Sequence, residues 1–266
     1  MPDLAAALLE LQELTRRLRR DCPWDREQTA RTIVPHTVEE AYEVADAAVA
    51  RDDAKLLDEL GDLLFQVYFL ALLLEERGAG DLEQAARRIH DKLVRRHPHV
   101  FGDAEAETAG RVRSNWEAIK REQEGREGIF HDAPATLPSL LYARKLQRRA
   151  ASVGFEYADV ERALDDLDDE IRELKEAIEA AGGEPAPETE PDPHVFEELG
   201  DVLFATVNVA RRVNVSPELA LRTMAQGFRD RVERAEARAS ARGEAFAELS
   251  LEQQDAYFDD AKEEFR

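Results

Sequence analysis

The stretch Glu59-Leu-Gly-Asp-Leu-Leu-Phe-Gln-Val-Tyr-Phe-Leu-Ala-Leu-Leu-Leu74 decides the fold class. Leu60, Leu63, Leu64, Val67, Ala71 and Leu74 mark one helical stripe, yet Phe65, Phe69, Leu72 and Leu73 point elsewhere. A helix apolar on so much of its circumference has to be covered on most sides, which places it at the centre of a bundle. It does not read as a membrane span. The uninterrupted part, Leu63 to Leu74, is twelve residues and contains Gln66, against the roughly 18 to 20 that a spanning helix needs.

The chain outside this stretch has the same texture, with runs rich in Ala, Leu, Glu and Arg and with 13 Gly and 11 Pro placed between them. The expected fold is all-α. Further helices are expected at 4–19, 36–50, 81–96, 108–123, 138–150, 160–181, 194–212, 216–242 and 251–265. The Gly- and Pro-containing stretch 124–138 reads as a linker, and 182–193, with four prolines and two glycines, as a surface loop. The expected division is a first module over 1–123 and a second over 139–266.

Composition sets the outer bounds. At 266 residues with 43% apolar side chains, the chain can build a real core without staples. Its 58 acids against 36 Lys and Arg leave a formal charge of −22, which attracts cations and repels polyanions, so nucleic acid is not an expected partner. The single cysteine, Cys22, excludes an intrachain disulfide framework and fits a reducing, cytoplasmic setting. The first twenty residues lack a charged-then-apolar secretion signal.

The heptad Glu59-Leu-Gly-Asp-Leu-Leu-Phe65 recurs as Glu198-Leu-Gly-Asp-Val-Leu-Phe204, identical at six of seven positions at an offset of 139. An acidic helix precedes each copy, with Glu39, Glu40 and Glu43 before the first and Asp169, Glu170 and Glu173 before the second. Downstream, Lys92 and Arg96 are answered by Gly227 and Arg231, and Trp116 with Lys120 by Phe258 with Lys262. The chain therefore reads as two copies of one module. From Glu43 to Glu59 is 16 residues and from Glu173 to Glu198 is 25, so the Pro-rich loop lengthens the second helix hairpin.

In so acidic a chain, about a dozen acid pairs three apart arise by chance, and the ordinary reading of any one is a solvated helix face. Three features weigh against that reading here. Glu40 projects with Glu43, and Glu59 with Asp62, from single faces. The face of Glu59 and Asp62 turns apolar through Gln66, Phe69 and Leu73. The arrangement also occurs twice. Four carboxylates meeting inside a hairpin are too costly unless a cation compensates or protons are retained. An all-oxygen donor set suits Mg²⁺ or Mn²⁺ rather than zinc or a di-iron centre. The expected cluster is Glu40, Glu43, Glu59 and Asp62. Mg²⁺ held this way leaves positions for substrate phosphates. Lys92 with Arg96 and Trp116 with Lys120, each pair four apart, supply two basic arms, one with a face for stacking on a base. Together these features point to a nucleotide polyphosphate.

With Cys22-Pro-Trp-Asp-Arg-Glu-Gln-Thr29, Thr37-Val-Glu-Glu-Ala-Tyr-Glu43, the heptad, and Asp91-Lys-Leu-Val-Arg-Arg-His-Pro-His-Val-Phe101, the chain resembles the MazG family of nucleoside triphosphate pyrophosphohydrolases in its two-domain bacterial form. The resemblance implies helices of two subunits completing each bundle, and Mg²⁺-dependent conversion of a nucleoside triphosphate to monophosphate and pyrophosphate. By matching positions it implies metal ligands among Glu39, Glu40, Glu43, Glu59 and Asp62, and among Asp169, Glu170, Glu173, Glu198 and Asp201. Lys92, Arg96, Trp116, Lys120, Arg231 and Lys262 match positions contacting phosphate or base. The second copy departs at Asp169 for Glu, Gly227 for Lys and Phe258 for Trp. The missing Lys removes a charge-assisted phosphate contact of about 1.5–3 kcal/mol if nothing replaces it. On these residues the first copy is the better equipped, although both keep the metal ligands.

The expected chemistry is attack of water on the α-phosphorus, with Glu39 or Glu43 as candidate base. Lys92, Arg96 and Lys120 would neutralise the leaving pyrophosphate. The alternatives are a narrower pyrophosphohydrolase acting on dUTP or phosphoribosyl-ATP, and a helical scaffold that binds a cation without catalysis. His97-Pro-His99 reads as a turn after a basic helix and Cys22 as a loop thiol. Trp24 reads equally as a stacking face or as an anchor of its turn.

Overall fold

The computed structural model describes residues 3–102, 128–131, 133–186 and 189–263. All its regular elements are helical, with no strand among the described residues. The expected helix at 108–123, including Trp116 and Lys120, lies outside them. The chain divides into two compact units, Met1–Glu124 and Gly125–Arg266.

The first unit contains α1 (Leu4–Asp21), α2 (Pro23–Glu27), α3 (Ala30–Ala50), α4 (Asp53–Glu76), α5 (Leu82–Arg96) and α6 (Pro98–Phe101). Helix α3 starts six residues before the sequence pattern places it and carries Pro35 inside. The cause is a capping box: Thr29 Oγ1 accepts from the Thr32 amide and Thr32 Oγ1 accepts from the Thr29 amide at 2.8 Å, satisfying two orphan donors ahead of the proline. Arg51, at φ 57°, and the N-cap Asp52, whose carboxylate accepts from the Lys55 amide at 3.0 Å, turn the chain at once into α4. Ile33, Phe69 and Leu73 form the core of this α3–α4 hairpin, with Ala30, Phe65 and Leu70 against them. Helix α1 is pinned to the far end of α4 by Arg16–Glu75 and Arg19–Glu76, each a two-bond carboxylate–guanidinium contact of 2.8–3.0 Å.

The second unit contains α7 (Ser139–Ala151), α8 (Val160–Ala180), α9 (Pro193–Arg212), α10 (Pro217–Ala241), a 3-10 turn (Phe246–Glu248) and α11 (Leu251–Glu263). Helices α8 and α9 form its hairpin. Asp159 caps α8, accepting from the Arg162 amide at 2.9 Å, and Asp192 with Pro193 at the first helical position starts α9. Gln147 of α7 donates to the Phe204 carbonyl at 2.8 Å. Glu156, after α7, accepts from Arg211 at 2.6 and 2.7 Å. A separate apolar cluster of Ala235, Ala239 and Tyr257 joins α10 to α11.

The described residues bury the central helix in part. Tyr68, Phe69, Ala71 and Leu73 are buried, but Leu57 is 72% exposed and Leu60, Leu64 and Val67 stay open as well. Among the described residues, α4 is buried on one side only. Helix α9 repeats the pattern with Phe196 at 71% and with Leu199 and Leu203 exposed.

Candidate active site

Each hairpin gathers acids from its two helices. In the first unit Glu40 and Glu43 of α3 and Glu59 of α4 place carboxylate oxygens within 4.8 Å of one another. In the second, Glu170 of α8 and Glu198 and Asp201 of α9 do the same. The 3.6-residue repeat explains both sets, because residues three apart share a face and the facing helix supplies the third oxygen.

The groups are trios rather than the expected quartets, and they differ in their third member. Asp62 stands beside the first trio without joining it, close enough for its charge to raise the pKa of Glu40 and Glu59. Glu173 stands in the same relation to Glu170 and lies 3.7 Å from Arg172. Glu39 and Asp169, also expected near the metal, are exposed and engaged elsewhere, Glu39 with His36 at 3.2 Å and Asp169 with Arg172 at 2.9 Å. Of the two candidate bases, only Glu43 belongs to a trio.

Glu40 and Glu170, equivalent in the two repeats, are shifted in the same direction. Burial first, then Asp62 and Glu43, push the Glu40 carboxyl above the usual range. Burial, then Asp201 and Asp166, do the same to Glu170. Glu59 is raised by desolvation and Glu43, opposed by Lys55 at 3.9 Å. Glu40 Oε2 is buried with no hydrogen-bond partner. A buried carboxylate oxygen without a donor among other carboxylates is strongly unfavourable unless a proton or a cation meets it. An all-oxygen trio with an orphaned inner atom fits a hard divalent cation.

The cationic and aromatic positions lie on other helices: Lys92 and the buried Arg96 on α5, Arg231 on α10, Phe258 and Lys262 on α11. Among the described residues, no hydrogen bond or ion pair joins Lys92, Arg231 or Lys262 to the acids of their own unit. Arg231 Nε is buried without a partner. Phe258 packs on Phe228 with ring centroids 5.8 Å apart. A Cβ added at Gly227 meets nothing within 4 Å, so Gly227→Lys should raise helix stability by about 0.5–1 kcal/mol and the melting temperature by about 1–4 °C. A fall in melting temperature would show that the position has no room for a side chain.

His97 Nδ1 lies 2.6 Å from the Leu93 carbonyl at the turn into α6. Trp24 is half-exposed, its ring edge-on to His36 at 6.0 Å. Cys22 sits half-buried between α1 and α2. Pattern reading of the sequence did not single out Gln147, Asn208 or Arg211, which line a cavity beside the second trio. The signal was the helix around Asp201, where the repeat continues past Phe204 with altered residues.

Opposed carboxylates on a helix hairpin form an all-oxygen donor set of the kind hard divalent cations prefer. The sequence profile of the MazG nucleotide pyrophosphohydrolase domain matches residues 28–101. The chain is 40% identical over 248 residues to a nucleoside triphosphate pyrophosphohydrolase of Escherichia coli strain K12, covering 92% of each chain. It is 37% identical over 258 residues to the Thermotoga maritima nucleoside triphosphate pyrophosphohydrolase/pyrophosphatase MazG, covering 95% of this chain and 94% of that one. The crystal structure of a mazG-related protein from Thermotoga maritima aligns with 43% of this chain and 99% of its own, at 27% identity and a TM-score of 0.39. The chain belongs to the MazG family of nucleotide pyrophosphohydrolases.

Proposed function

We propose that the protein hydrolyses nucleoside triphosphates to nucleoside monophosphate and pyrophosphate with Mg²⁺ or Mn²⁺ as cofactor, and that each hairpin carries one such site in a repeated module. The observation that carries this reading is the trio with its orphaned inner oxygen, Glu40 Oε2. Glu40, Glu43 and Glu59 would hold the cation in the first unit, with Asp62 beside them, and Glu170, Glu198 and Asp201 in the second, with Glu173 beside them. A bound divalent cation supplies Lewis-acid polarisation of phosphate oxygens and activation of water. Water adds to the α-phosphorus, the bond from that phosphorus to the oxygen bridging to the β-phosphorus breaks, and pyrophosphate leaves. Glu43, exposed at the edge of its trio, would take the proton of the incoming water. Lys92, Arg96, Arg231 and Lys262, with Lys120 and Trp116 from the undescribed stretch, would contact phosphates and base.

Incubation with each nucleoside triphosphate and Mg²⁺ should release pyrophosphate and no orthophosphate. Orthophosphate alone would place the cleavage elsewhere in the chain of phosphates. Turnover confined to dUTP or to phosphoribosyl-ATP would replace this reading with the narrower one, and no turnover at all with the scaffold.

The same reading includes a homodimer. Among the described residues, α4 and α9 leave apolar faces open. Gly61 and Gly200 lie on these helices with nothing within 4 Å of an added Cβ, although glycine inside a helix costs about 1 kcal/mol relative to alanine. Two notched apolar faces suit close approach of a second copy's helix. Light scattering should give a dimer for the native chain and a monomer for Gly61→Leu with Gly200→Leu, the variant keeping its helix content. A native monomer, or a dimer that tolerates both leucines, would count against it.

A further inference from the structure

The offset of 139 that sets Glu59 on Glu198 also sets Lys55 on His194. Both stand in the first turn of their helix, four residues before the buried glutamate of the trio. In the first unit Lys55 Nζ lies 3.9 Å from Glu59 Oε1. In the second, His194 Nδ1 lies 3.3 Å from Glu198 Oε1. The place is the same and the chemistry is not. An ammonium carries donors and no lone pair, so Lys55 cannot ligate, and its charge opposes a cation seated among the acids. A neutral imidazole offers a nitrogen lone pair and is the commonest metal ligand among side chains.

The backbone delivers the ring to the acids. Asp192 caps α9, its carboxylate accepting from the His194 and Val195 amides at 2.9 and 3.2 Å. From that fixed start His194, Glu198 and Asp201 fall four and then three residues apart on one face of α9, with Glu170 brought to the last two by α8. Two donors held cis by one octahedral ion, with bonds of about 2.1 Å, lie about 3.0 Å apart. The 3.3 Å between Nδ1 and Oε1 is therefore a span that one ion can bridge with a small adjustment. Among the described residues Glu198 is the polar contact of this ring, and the side chain is 63% exposed, so no packing holds the imidazole away from an ion.

We propose that His194 is a nitrogen ligand of the second unit's cation, and that it turns this site toward Mn²⁺ and Co²⁺ at the expense of Mg²⁺. The all-oxygen first site, with Lys55 in that place, has no such preference. Carboxylate oxygens alone serve Mg²⁺ and Mn²⁺, whereas an imidazole nitrogen favours ions further along the divalent series, with Co²⁺ above Mn²⁺. The two units would then load differently from one mixture of ions. The proposal rests on the reading that Glu170, Glu198 and Asp201 hold a divalent cation.

The test uses the full chain carrying Glu59→Gln, which weakens the first trio, loaded with Mn²⁺ alone. Pulsed electron paramagnetic resonance should show coupling of the manganese electrons to a nitrogen nucleus, and adding His194→Gln should remove it. In calorimetry His194→Gln should lower Co²⁺ affinity about tenfold or more and Mg²⁺ affinity less than about threefold. Conversely, Lys55→His in a chain carrying Glu198→Gln should raise Co²⁺ affinity about tenfold or more. Thermal melts in EDTA check that the variants fold. Manganese bound without nitrogen coupling, or coupling that survives His194→Gln, overturns the ligand and leaves the trio standing. Equal losses of Co²⁺ and Mg²⁺ affinity make His194 a charge neighbour only and overturn it as well. If the chain with Glu59→Gln holds none of the three ions, it is the metal reading of the second unit that fails, and the ligand with it.

Discussion

Glu59→Gln combined with Glu198→Gln should lower pyrophosphate release by about a thousandfold or more, because each substitution removes one of three carboxylates from a trio proposed to hold the cation. Glutamine preserves the volume of these two side chains, both only 9% exposed, so the α3–α4 and α8–α9 hairpins keep their packing. Lys55, 3.9 Å from Glu59, and His194, 3.3 Å from Glu198, lose an anionic neighbour without being left in an apolar interior. Steady-state release with the two single variants then apportions turnover between the units. Retention of more than about a tenth of native turnover in the double variant would remove the acids from the chemistry.

Metal and pH should shift stability in linked ways. Glu40 and Glu170 have pKa values raised in the folded state by burial and by neighbouring acids. The fold therefore holds their protons more tightly than the unfolded chain does. Their stabilising contribution is complete below the unfolded carboxylate pKa of about 4.3 and is lost as pH rises through the raised folded values. At neutral pH and above, the metal-free hairpins carry uncompensated repulsion, which a cation relieves. With Mg²⁺ at about a hundred times its dissociation constant, linkage gives about 2.7 kcal/mol, or a rise of about 5–10 °C in melting temperature. Glu40→Gln with Glu170→Gln should raise the melting temperature in EDTA above that of the native chain at pH 8 and abolish most of the Mg²⁺ increment. An increment that survives both substitutions would place the cation elsewhere.

The helical class was readable because the leucine-rich stretch after Glu59 and the Gly- and Pro-bearing breaks leave little room for strands. The start of α3 was not, because Pro35 looks like a helix boundary and the reciprocal bonds of Thr29 and Thr32 depend on geometry that two threonines in a row of polar residues do not announce. Spacing placed the acids on common faces, but spacing is silent on the offset between two facing helices. That offset brings Glu43 into the first trio and Asp201 into the second, and sets Asp62 and Glu173 beside them. The cavity escaped because it is made by what is missing: Ala205 and Asn208 are unremarkable on a helix until they are set against Gln66 and Phe69. The open face of α4 escaped for the opposite reason, since an apolar helix reads the same whether its own chain or another covers it.

The most direct measurement is a crystal structure of the chain grown with Mg²⁺ and a nucleoside triphosphate analogue that cannot be cleaved between the α- and β-phosphates. The account predicts metal density bounded by Glu40, Glu43 and Glu59, and by Glu170, Glu198 and Asp201, with the analogue's phosphates against it. Both trios turned to solvent, with ion and analogue seated on some other surface, would contradict it.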